Sequence, residues 1–239
     1  MKQILPISVC IVLVLVSIFS CDNRRHIKEF YFPTDELVIG KVYAYEPTEG
    51  TAGDIDYWYY KSVVRDSGFY FTASYYDPLK EVRQLVTEKI VSNGALAKQY
   101  VLFEPDTTGT YQKIEARLES PNTFPFLVKD STGVFLFSLK YESVNAPGTQ
   151  YLIRNRRYLG DGPDFELDGV LYPTIRFKLK EVYGNEQEGS AEVEGEGEEL
   201  YARGIGLVYY RKSVADGKYT YAYRLKKRMS MEEFIDSNN

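Results

Sequence analysis

The second half of the chain alternates hydrophobic and polar residues at every second position. Residues 175–180 read IRFKLK, and residues 219–226 read YTYAYRLK. Successive side chains of a β-strand point to opposite faces, so one set packs on a core and the other faces water. Both segments are therefore predicted to be strands of an antiparallel sheet.

Turn signals separate many segments of this kind. Asn93-Gly94, Asp168-Gly169 and Asp216-Gly217 suit the positive φ angles of tight hairpin turns. The segments between the turns are rich in Tyr, Phe, Val and Ile, as strands are. The sequence thus predicts an all-β, mainly antiparallel, hairpin-rich meander with little helix. Its expected architecture is a curved sheet, a sandwich or an open barrel.

Two segments are apolar on both faces, and a third is ambiguous. Residues 55–64 (IDYWYYKSVV) and 133–141 (GVFLFSLKY) predict central strands that a second sheet, a helix or a ligand covers on each side. The apolar residues of 79–91 fit a helical stripe as well as a strand. We favour a strand there, because alternation continues on both sides of Asn93-Gly94.

The chain begins with the layout of a secretory signal peptide. Lys2 provides a positive charge, and the segment from Ile4 to Phe19 is mostly apolar. A helix that spans a bilayer needs about 20 apolar residues, so this run is short. Arg24 and Arg25 follow it and oppose its retention as a membrane anchor. We therefore expect the leader to be cleaved.

The end of the leader, Ile18-Phe19-Ser20-Cys21, resembles the lipobox of bacterial lipoproteins. The resemblance implies cleavage before Cys21 and attachment of acyl chains to that residue, and two or more chains give a stable anchor. The alternative is an ordinary signal peptide that contains a cysteine by chance. On the lipoprotein interpretation, the chain divides into a signal peptide (1–20), an anchor and tether (21–35) and an all-β domain (36–239). That domain is either one unit or two hairpin-rich halves, 36–142 and 150–228.

Near the end of the chain, residues 201–208 read YARGIGLV, and an alternating strand follows. This pattern resembles the closing hairpin of many secreted or lipid-anchored all-β proteins of bacteria. Its two glycines predict a coiled strand or the close approach of another backbone. Together with the lipobox and the YWYY motif at 57–60, it makes the chain most similar to lipoproteins of the Bacteroidota that have no assigned activity. The resemblance implies a lipid-anchored protein of the cell envelope, at the outer membrane, on either its periplasmic or its surface side.

Composition argues against nucleic-acid and nucleotide binding. The net charge is −5, whereas a nucleic-acid-binding domain carries a basic stripe. The basic clusters at residues 154–157 and 226–228 are expected to be solvated strand faces. The sequence contains no GxxxxGK[ST] loop and no GxGxxG motif after a strand.

Side chains that catalyse reactions or bind metals are scarce. His26 is the single histidine and lies in the predicted tether, and besides Cys21 the only cysteine is Cys10, within the leader. The sequence therefore argues against a Ser-His-Asp triad, a papain-like cysteine nucleophile and a zinc site built on His or Cys. The acidic segment 186–199 and the half calcium loop at 164–169 lack positioned ligands, so we expect a solvated loop and a plain turn. The sequence predicts neither a metal nor a cofactor.

Aromatic residues are the positive sign of a ligand site. The chain has 22 tyrosines, and Tyr57, Trp58, Tyr59 and Tyr60 form a continuous run. Such rings suit stacking on sugars or on amphipathic ligands. The alternative is that tyrosine simply favours half-buried strands. Because neighbouring side chains alternate, at most one set, Tyr57 with Tyr59 or Trp58 with Tyr60, is available to a ligand.

Two classes of function remain. The first is a non-enzymatic envelope lipoprotein that binds or scaffolds a glycan, a lipid or a partner protein. A deep cavity favours lipid, and a flat aromatic strip favours glycan. The second is a hydrolase acting on envelope or extracellular polymers with two carboxylates about 5 to 10 Å apart in a cleft. We favour the first class, because nothing in the sequence marks a carboxylate pair.

We predict that Cys21→Ser moves the protein from the membrane fraction to the soluble fraction, because the acyl chains lose their attachment site. Labelling with a fatty-acid analogue, followed by membrane fractionation, measures the effect. Cys10→Ser changes the other cysteine of the leader and is the matched control, with labelling unchanged. Membrane association of Cys21→Ser at the wild-type level contradicts the lipid anchor.

Overall fold

The alternating segments form β-strands along most of the chain. The computed structural model describes residues 24–48, 50–129, 133–187, 189, 191–215 and 217–237. The strands are β1 (Arg25–His26), β2 (Lys41–Pro47), β3 (Asp56–Arg65), β4 (Gly68–Tyr76), β5 (Val82–Val91), β6 (Gly94–Pro105), β7 (Tyr111–Glu115), β8 (Arg117–Pro125), β9 (Leu127–Val128), β10 (Val134–Glu142), β11 (Thr149–Asp161), β12 (Phe165–Leu167), β13 (Val170–Tyr172), β14 (Thr174–Asn185), β15 (Val193–Ala202), β16 (Gly206–Val214) and β17 (Tyr219–Met229). Two 3-10 helices, Lys28–Phe30 and Glu36–Val38, and one α-helix, α1 (Met231–Asp236), complete the described elements. The prediction of an all-β fold with little helix is confirmed.

Twelve of these strands form one closed antiparallel sheet. Their order around the ring is β2, β3, β4, β5, β6, β8, β10, β11, β14, β15, β16 and β17, and β17 pairs with β2. The sheet closes because β6 pairs both with β5 and with β8. Of the architectures that the sequence allowed, the structure is a barrel, and the barrel is closed rather than open. Strands from 36–142 and from 150–228 contribute to the same sheet.

Strand β14 shows how alternation divides side chains between the two faces of the barrel wall. Ile175, Phe177 and Leu179 are completely buried inside. On the outer face, Lys178 and Lys180 lie 3.0 and 3.5 Å from carboxylate oxygens of Glu196 in β15. The expectation of a solvated loop throughout 186–199 is therefore wrong. Its second part is strand β15, which pairs with β14 along its length and places Glu196 beside the two lysines.

The ambiguous segment 79–91 is a strand over most of its length. Strand β5 covers Val82–Val91 and forms a hairpin with β6 around Asn93-Gly94, so the predicted strand is confirmed. The residues before it form a turn. In that turn, Asp77 Oδ1 accepts the backbone N–H groups of Leu79 and Glu81, each at 2.9 Å.

Residues 27–32, which we call the plug, close one end of the barrel. A barrel of about eight strands is filled by its own side chains, whereas a wider one leaves a lumen. Ile27, Phe30 and Tyr31 are 0, 1 and 4% exposed. The structure thus corrects the domain boundary predicted at residue 36, since the described part of the presumed tether belongs to the folded domain. Its apolar side chains are needed to fill this end of the ring.

Backbone pairing and aromatic packing hold the plug in place. Strand β1 pairs with β9, and the N–H of Ile27 donates to the carbonyl of Phe126 at 2.9 Å. The ring of Phe32 packs on Tyr60 of β3 and Phe71 of β4, with centroids 4.3 and 4.8 Å away. The plug is therefore fixed to several strands at once.

Gly206 provides the space for this packing. It is the first residue of β16 and has a φ of +98°, and a Cβ atom there would lie 2.5 Å from the Phe32 ring. Gly204 has a φ of +71° and lies in the preceding turn, where a Cβ atom would meet open space and the N–H donates to the carbonyl of Glu29 at 2.9 Å. Because Gly204 lies in the turn, the two glycines do not coil one strand; the predicted alternative, close approach of another backbone, is found at Gly204. One shapes the turn and the other admits the plug.

Helix α1 covers part of the outer face. It begins with a capping box in which Ser230 Oγ accepts the N–H of Glu233 at 3.0 Å and Glu233 accepts the N–H of Ser230 at 2.6 Å. The ring of Phe234 packs on Tyr57 and Tyr76, with centroids 4.8 and 5.4 Å away. Among the residues described, no helix is long and apolar enough to cross a bilayer.

We predict that Gly206→Ala lowers the free energy of unfolding by about 2 to 4 kcal/mol, because a left-handed backbone and an overpacked Phe32 ring both oppose the new Cβ. Gly204→Ala is the matched control. Its free energy of unfolding should fall by only about 1 to 2 kcal/mol, the cost of the left-handed backbone, since nothing lies near the new side chain. Urea denaturation measures both values. Equal losses in the two variants contradict the packing role of Gly206.

Candidate ligand-binding site

The barrel contains a cavity of about 490 Å³, which we call the chamber. Its floor is formed by the plug residues Tyr31 and Phe32. At the other end, Tyr141, Tyr183 and Tyr221 line it, and the strand register places these three residues at the same end of the barrel. The size lies within the range of about 300 to 1,000 Å³ that small-molecule sites occupy.

Strands β3 to β6 form an aromatic wall of the chamber. Trp58, Tyr60, Phe71, Ala73 and Val86 face inward from these strands. Tyr60 stacks on Phe71 with centroids 5.5 Å apart, and Trp58 lies 6.2 Å from Tyr60 in a nearly parallel orientation. This wall offers flat, apolar surface to a ligand.

The opposite side, strands β11, β14, β15 and β16, forms a charged wall. In the ring order these strands lie across the barrel from β3 to β6. Their inward positions carry three cations and two carboxylates, all of which line the chamber: Arg154, Arg156, Glu181, Glu199 and Lys212. The chamber therefore has one aromatic and one charged side.

Glu181 is at the centre of the first ionic group. Arg154 Nε donates to its Oε1, Lys212 Nζ lies 2.9 Å from its Oε2, and the Tyr183 hydroxyl donates to Oε2 at 2.9 Å. Burial alone opposes ionisation of this carboxyl, but Arg154 and Lys212 outweigh it and lower the pKa of Glu181 from 4.5 to about 2. Glu181 is therefore ionised throughout the physiological range.

Glu199 and Arg156 form the second ionic group. Arg156 donates from Nε and Nη2 to the two oxygens of Glu199, at 2.8 and 3.1 Å, and from Nη1 to the carbonyl of Thr123. Tyr201 adds a hydroxyl bond to Glu199 at 3.1 Å. Burial opposes the charge on Glu199, but Arg156 prevails and lowers its pKa. Every donor nitrogen of Arg156 is thus used within the protein.

Arg154 differs from Arg156 in the use of its donors. Its Nε bonds Glu181, while among the described residues no acceptor is bonded to its Nη1 or Nη2. The side chain keeps 24% exposure, and its guanidinium carbon lies 6.0 Å from the centre of the Phe137 ring. Arg154 therefore presents unused N–H groups to the chamber.

Glu88 faces inward from β5, on the aromatic side. Its carboxylate accepts the hydroxyl of Tyr31 and so joins the plug to the barrel wall. Burial raises the pKa of Glu88, although the Tyr31 bond and the charge of Arg156 act in the opposite direction. The net effect favours the protonated form of this carboxyl compared with a solvated glutamate.

The structure separates the aromatic run predicted as a binding surface into its two alternating sets. Trp58 and Tyr60 line the chamber. Tyr57 and Tyr59 belong to the outer cluster that packs with Phe234. Ligand binding by the inward set stays a prediction. Cys21 lies outside the described residues.

The charged wall is the part of the site that sequence reasoning missed. Arg154 and Arg156 were expected on a solvated face, yet of the three arginines in that cluster only Arg157 is exposed. The available signal was the alternation of Leu152, Arg154, Arg156 and Tyr158, which places both arginines on the same face as buried apolar residues. That signal is readable only if the barrel interior is known to accept charge.

The carboxylates of the described residues form no metal-binding cluster, and two of the three that line the chamber are held by cations. No group of three or more His, Cys, Asp or Glu residues is arranged there to hold a metal ion. Glu181 and Glu199 do line one cavity, but both are engaged by cations and have lowered pKa values. A general acid needs a raised pKa, which of the three chamber carboxyls only Glu88 shows.

Comparison with known proteins identifies two similar structures. No family model and no curated protein matches the chain. A protein from Parabacteroides distasonis, described as a "putative lipoprotein", is 13% identical, with a TM-score of 0.50 over 83% of this chain and 97% of its own. A Bacteroides fragilis protein, described as a "putative exported protein with YmcC-like fold", is 11% identical, with a TM-score of 0.54 over 83% of this chain and 98% of its own.

At these identities the likeness shows the fold alone. Both similar proteins come from the Bacteroidota, the group to which the leader and the closing hairpin pointed. The resemblance stated from the sequence is thus confirmed for the fold. The lipid anchor stays a prediction.

We predict that Glu181→Gln reduces the acid sensitivity of the fold. A carboxyl whose pKa is lowered on folding stabilises the protein above its unfolded pKa of about 4.5, and this stabilisation is lost as the pH falls towards 2. The stability advantage of the wild type over Glu181→Gln should therefore shrink by on the order of 3 kcal/mol between about pH 6 and pH 2.

Urea denaturation at a series of pH values measures this difference. Glu194→Gln removes an exposed carboxylate from neighbouring β15 and controls for the loss of a charge. A difference between the wild type and Glu181→Gln that stays constant with pH contradicts the ionised, cation-bound state of Glu181.

Proposed function

We propose that this protein is a non-enzymatic binding protein of the cell envelope, and that the chamber holds one small amphipathic molecule. The observation that carries the proposal is the chamber itself. A cavity of about 490 Å³ with an aromatic and a charged side has the size and lining of a ligand site. A barrel needed only as a scaffold gains nothing from charged side chains in its interior, which are costly to bury.

The envelope location is supported by the leader and by the similar structures. The leader ends in the lipobox-like Ile18-Phe19-Ser20-Cys21, and the two proteins of the same fold are described as a lipoprotein and as an exported protein. An extended chain spans at most about 3.6 Å per residue, so a lipid on Cys21 would hold Arg25 within roughly 14 Å of the membrane. The plugged end then faces the membrane, and the end with Tyr141 and Tyr183 faces away from it.

The arrangement of the carboxylates favours binding over hydrolysis. A retaining glycosidase needs a carboxylate with an oxygen free to attack the sugar. The oxygens of Glu181 and Glu199 instead accept bonds from Arg154, Lys212 and Arg156. They orient cations towards a ligand rather than react with it.

The test uses Trp58, which is the single tryptophan of the chain and lines the chamber. We predict that the neutral probe N-phenylnaphthylamine binds the purified Cys21→Ser protein, which has no acyl chains to compete for the probe. Emission of the probe should rise while emission of Trp58 falls by energy transfer, with one saturation curve for both signals. Binding should be micromolar, as is usual for an apolar probe in a preformed pocket of this size (roughly −8 kcal/mol).

Two variants locate the probe. Ala73→Phe fills space in the chamber and should abolish binding, whereas Thr72→Phe adds the same ring on the outer face of β4 and should not. Both variants must first show a cooperative thermal transition. The proposed function is contradicted if Ala73→Phe and the wild type bind the probe equally well. It is also contradicted if the probe does not change the fluorescence emission of Trp58.

A further inference from the structure

We infer that the ligand of the chamber is an amphipathic anion whose carboxylate or phosphate group binds Arg154 and Lys212 while its apolar body lies on Trp58 and Tyr60. This inference rests on the proposed function and specifies the chemistry of its ligand. It follows from three observations: the balance of charge in the chamber, the donors left unused there, and the opposition of the two walls.

The charged wall carries one more positive than negative charge. Three cations, Arg154, Arg156 and Lys212, face two carboxylates, Glu181 and Glu199. The pair of Arg156 and Glu199 is closed, with bidentate geometry. The excess charge therefore lies in the other group, where two cations share Glu181.

The third carboxyl of the chamber does not neutralise this excess at close range. Glu88 projects from β5, on the opposite wall, and its oxygen is bonded by Tyr31 of the plug. Burial also favours its protonated form. A buried charge without a partner is unfavourable, so the chamber is electrostatically prepared for an anion.

Lys212 shows the consequence of this imbalance. Its ammonium lies 2.9 Å from Glu181, yet burial and the neighbouring charge of Arg154 lower its pKa. An anion placed between Arg154 and Lys212 removes that repulsion. The lysine then gains the second counter-charge that the protein itself does not provide.

The unused donors give the geometry of recognition. Arg154 is held by its Nε on Glu181, which leaves its two terminal nitrogens directed at the chamber. Two parallel N–H groups match the two oxygens of a carboxylate or phosphate. Glu181 and the Tyr183 hydroxyl that bonds it fix the position of this fork, so little entropy is lost when an anion binds.

The aromatic wall explains why the anion must be part of an amphiphile. Directly across the ring, Trp58 and Tyr60 present nearly parallel rings with centroids 6.2 Å apart. A free inorganic anion would leave the aromatic rings of this wall exposed to water. A molecule with a flat or aliphatic body covers it while its charged group reaches Arg154.

A matched pair of probes tests the inference. Anilinonaphthalene sulfonate and N-phenylnaphthylamine share one skeleton and differ by the sulfonate, so the ratio of their dissociation constants isolates the anionic group. In the Cys21→Ser background, Arg154→Met should raise the dissociation constant of the sulfonate probe by at least about tenfold. The dissociation constant of the neutral probe should stay within about twofold of its original value. Lys212→Met should act in the same direction, which keeps the test decisive if one variant folds poorly.

Arg157→Met is the matched control. Arg157 directly follows Arg156 on the same strand but lies on the exposed face. Its replacement removes the same charge and should change the affinity for neither probe. Competition by dodecanoate, dodecyl phosphate and uncharged dodecanol then separates the headgroups. The two anions should displace the sulfonate probe at lower concentrations than dodecanol, and the stronger of them identifies the headgroup.

The outcomes distinguish the inference from the proposed function. If the neutral probe binds the chamber but Arg154→Met and Lys212→Met leave the sulfonate probe unaffected, the anionic ligand is wrong and the binding function stands. If Arg157→Met weakens the sulfonate probe as much as Arg154→Met does, binding occurs on the surface and the inference fails. If neither probe lowers the fluorescence emission of Trp58, both the inference and the proposed function are wrong.

Discussion

The width of the closed ring is the constraint on which the rest of the structure depends. Pairing of β6 with both β5 and β8 closes a barrel of twelve strands, which is wider than the roughly eight that side chains alone can fill. The excess width must be occupied. The protein fills one end with the plug, and the remaining space forms the chamber. The plug, the chamber and the glycine that admits Phe32 are thus consequences of one pairing pattern.

The same constraint explains why charge is tolerated inside. The walls of a wide barrel do not touch each other, so inward side chains on β11 to β16 need not pack against those on β3 to β6. Arg156 and Glu199 satisfy each other within one wall, whereas Lys212 and Arg154 share Glu181. Part of the Arg154 guanidinium also has no acceptor among the described residues. Natural proteins retain such costly groups at functional sites more often than elsewhere.

Alternation made the strands predictable, but it did not reveal their arrangement. Phe177 on β14 and the strand assignment of 79–91 follow from a period of two, which is a local property. Closure depends on which distant strands pair, and no local pattern encodes the contact of β6 with β8. The plug was missed for a related reason: Ile27, Phe30 and Tyr31 follow a leader and lack strand alternation, so they resembled a tether. Only the lumen they fill explains their burial.

Half of the candidate site was accessible from the sequence, and half was not. The run from Tyr57 to Tyr60 identified the aromatic wall, and alternation limited the ligand-facing residues to one set, although the sequence did not specify that Trp58 and Tyr60 are that set. Arg154 was assigned to solvent, because an arginine among polar neighbours normally lies there. Its inward position depends on the wide interior, and its charge partner Glu181 lies 27 residues further along the chain.

The most direct test of the account is a crystal structure of the protein with anilinonaphthalene sulfonate. We expect electron density for the probe inside the chamber, with its rings on Trp58 and Tyr60 and its sulfonate within hydrogen-bond distance of Arg154. Density confined to the outer surface, with the chamber empty or filled only by water, contradicts it. So does a bound probe whose sulfonate points away from the charged wall.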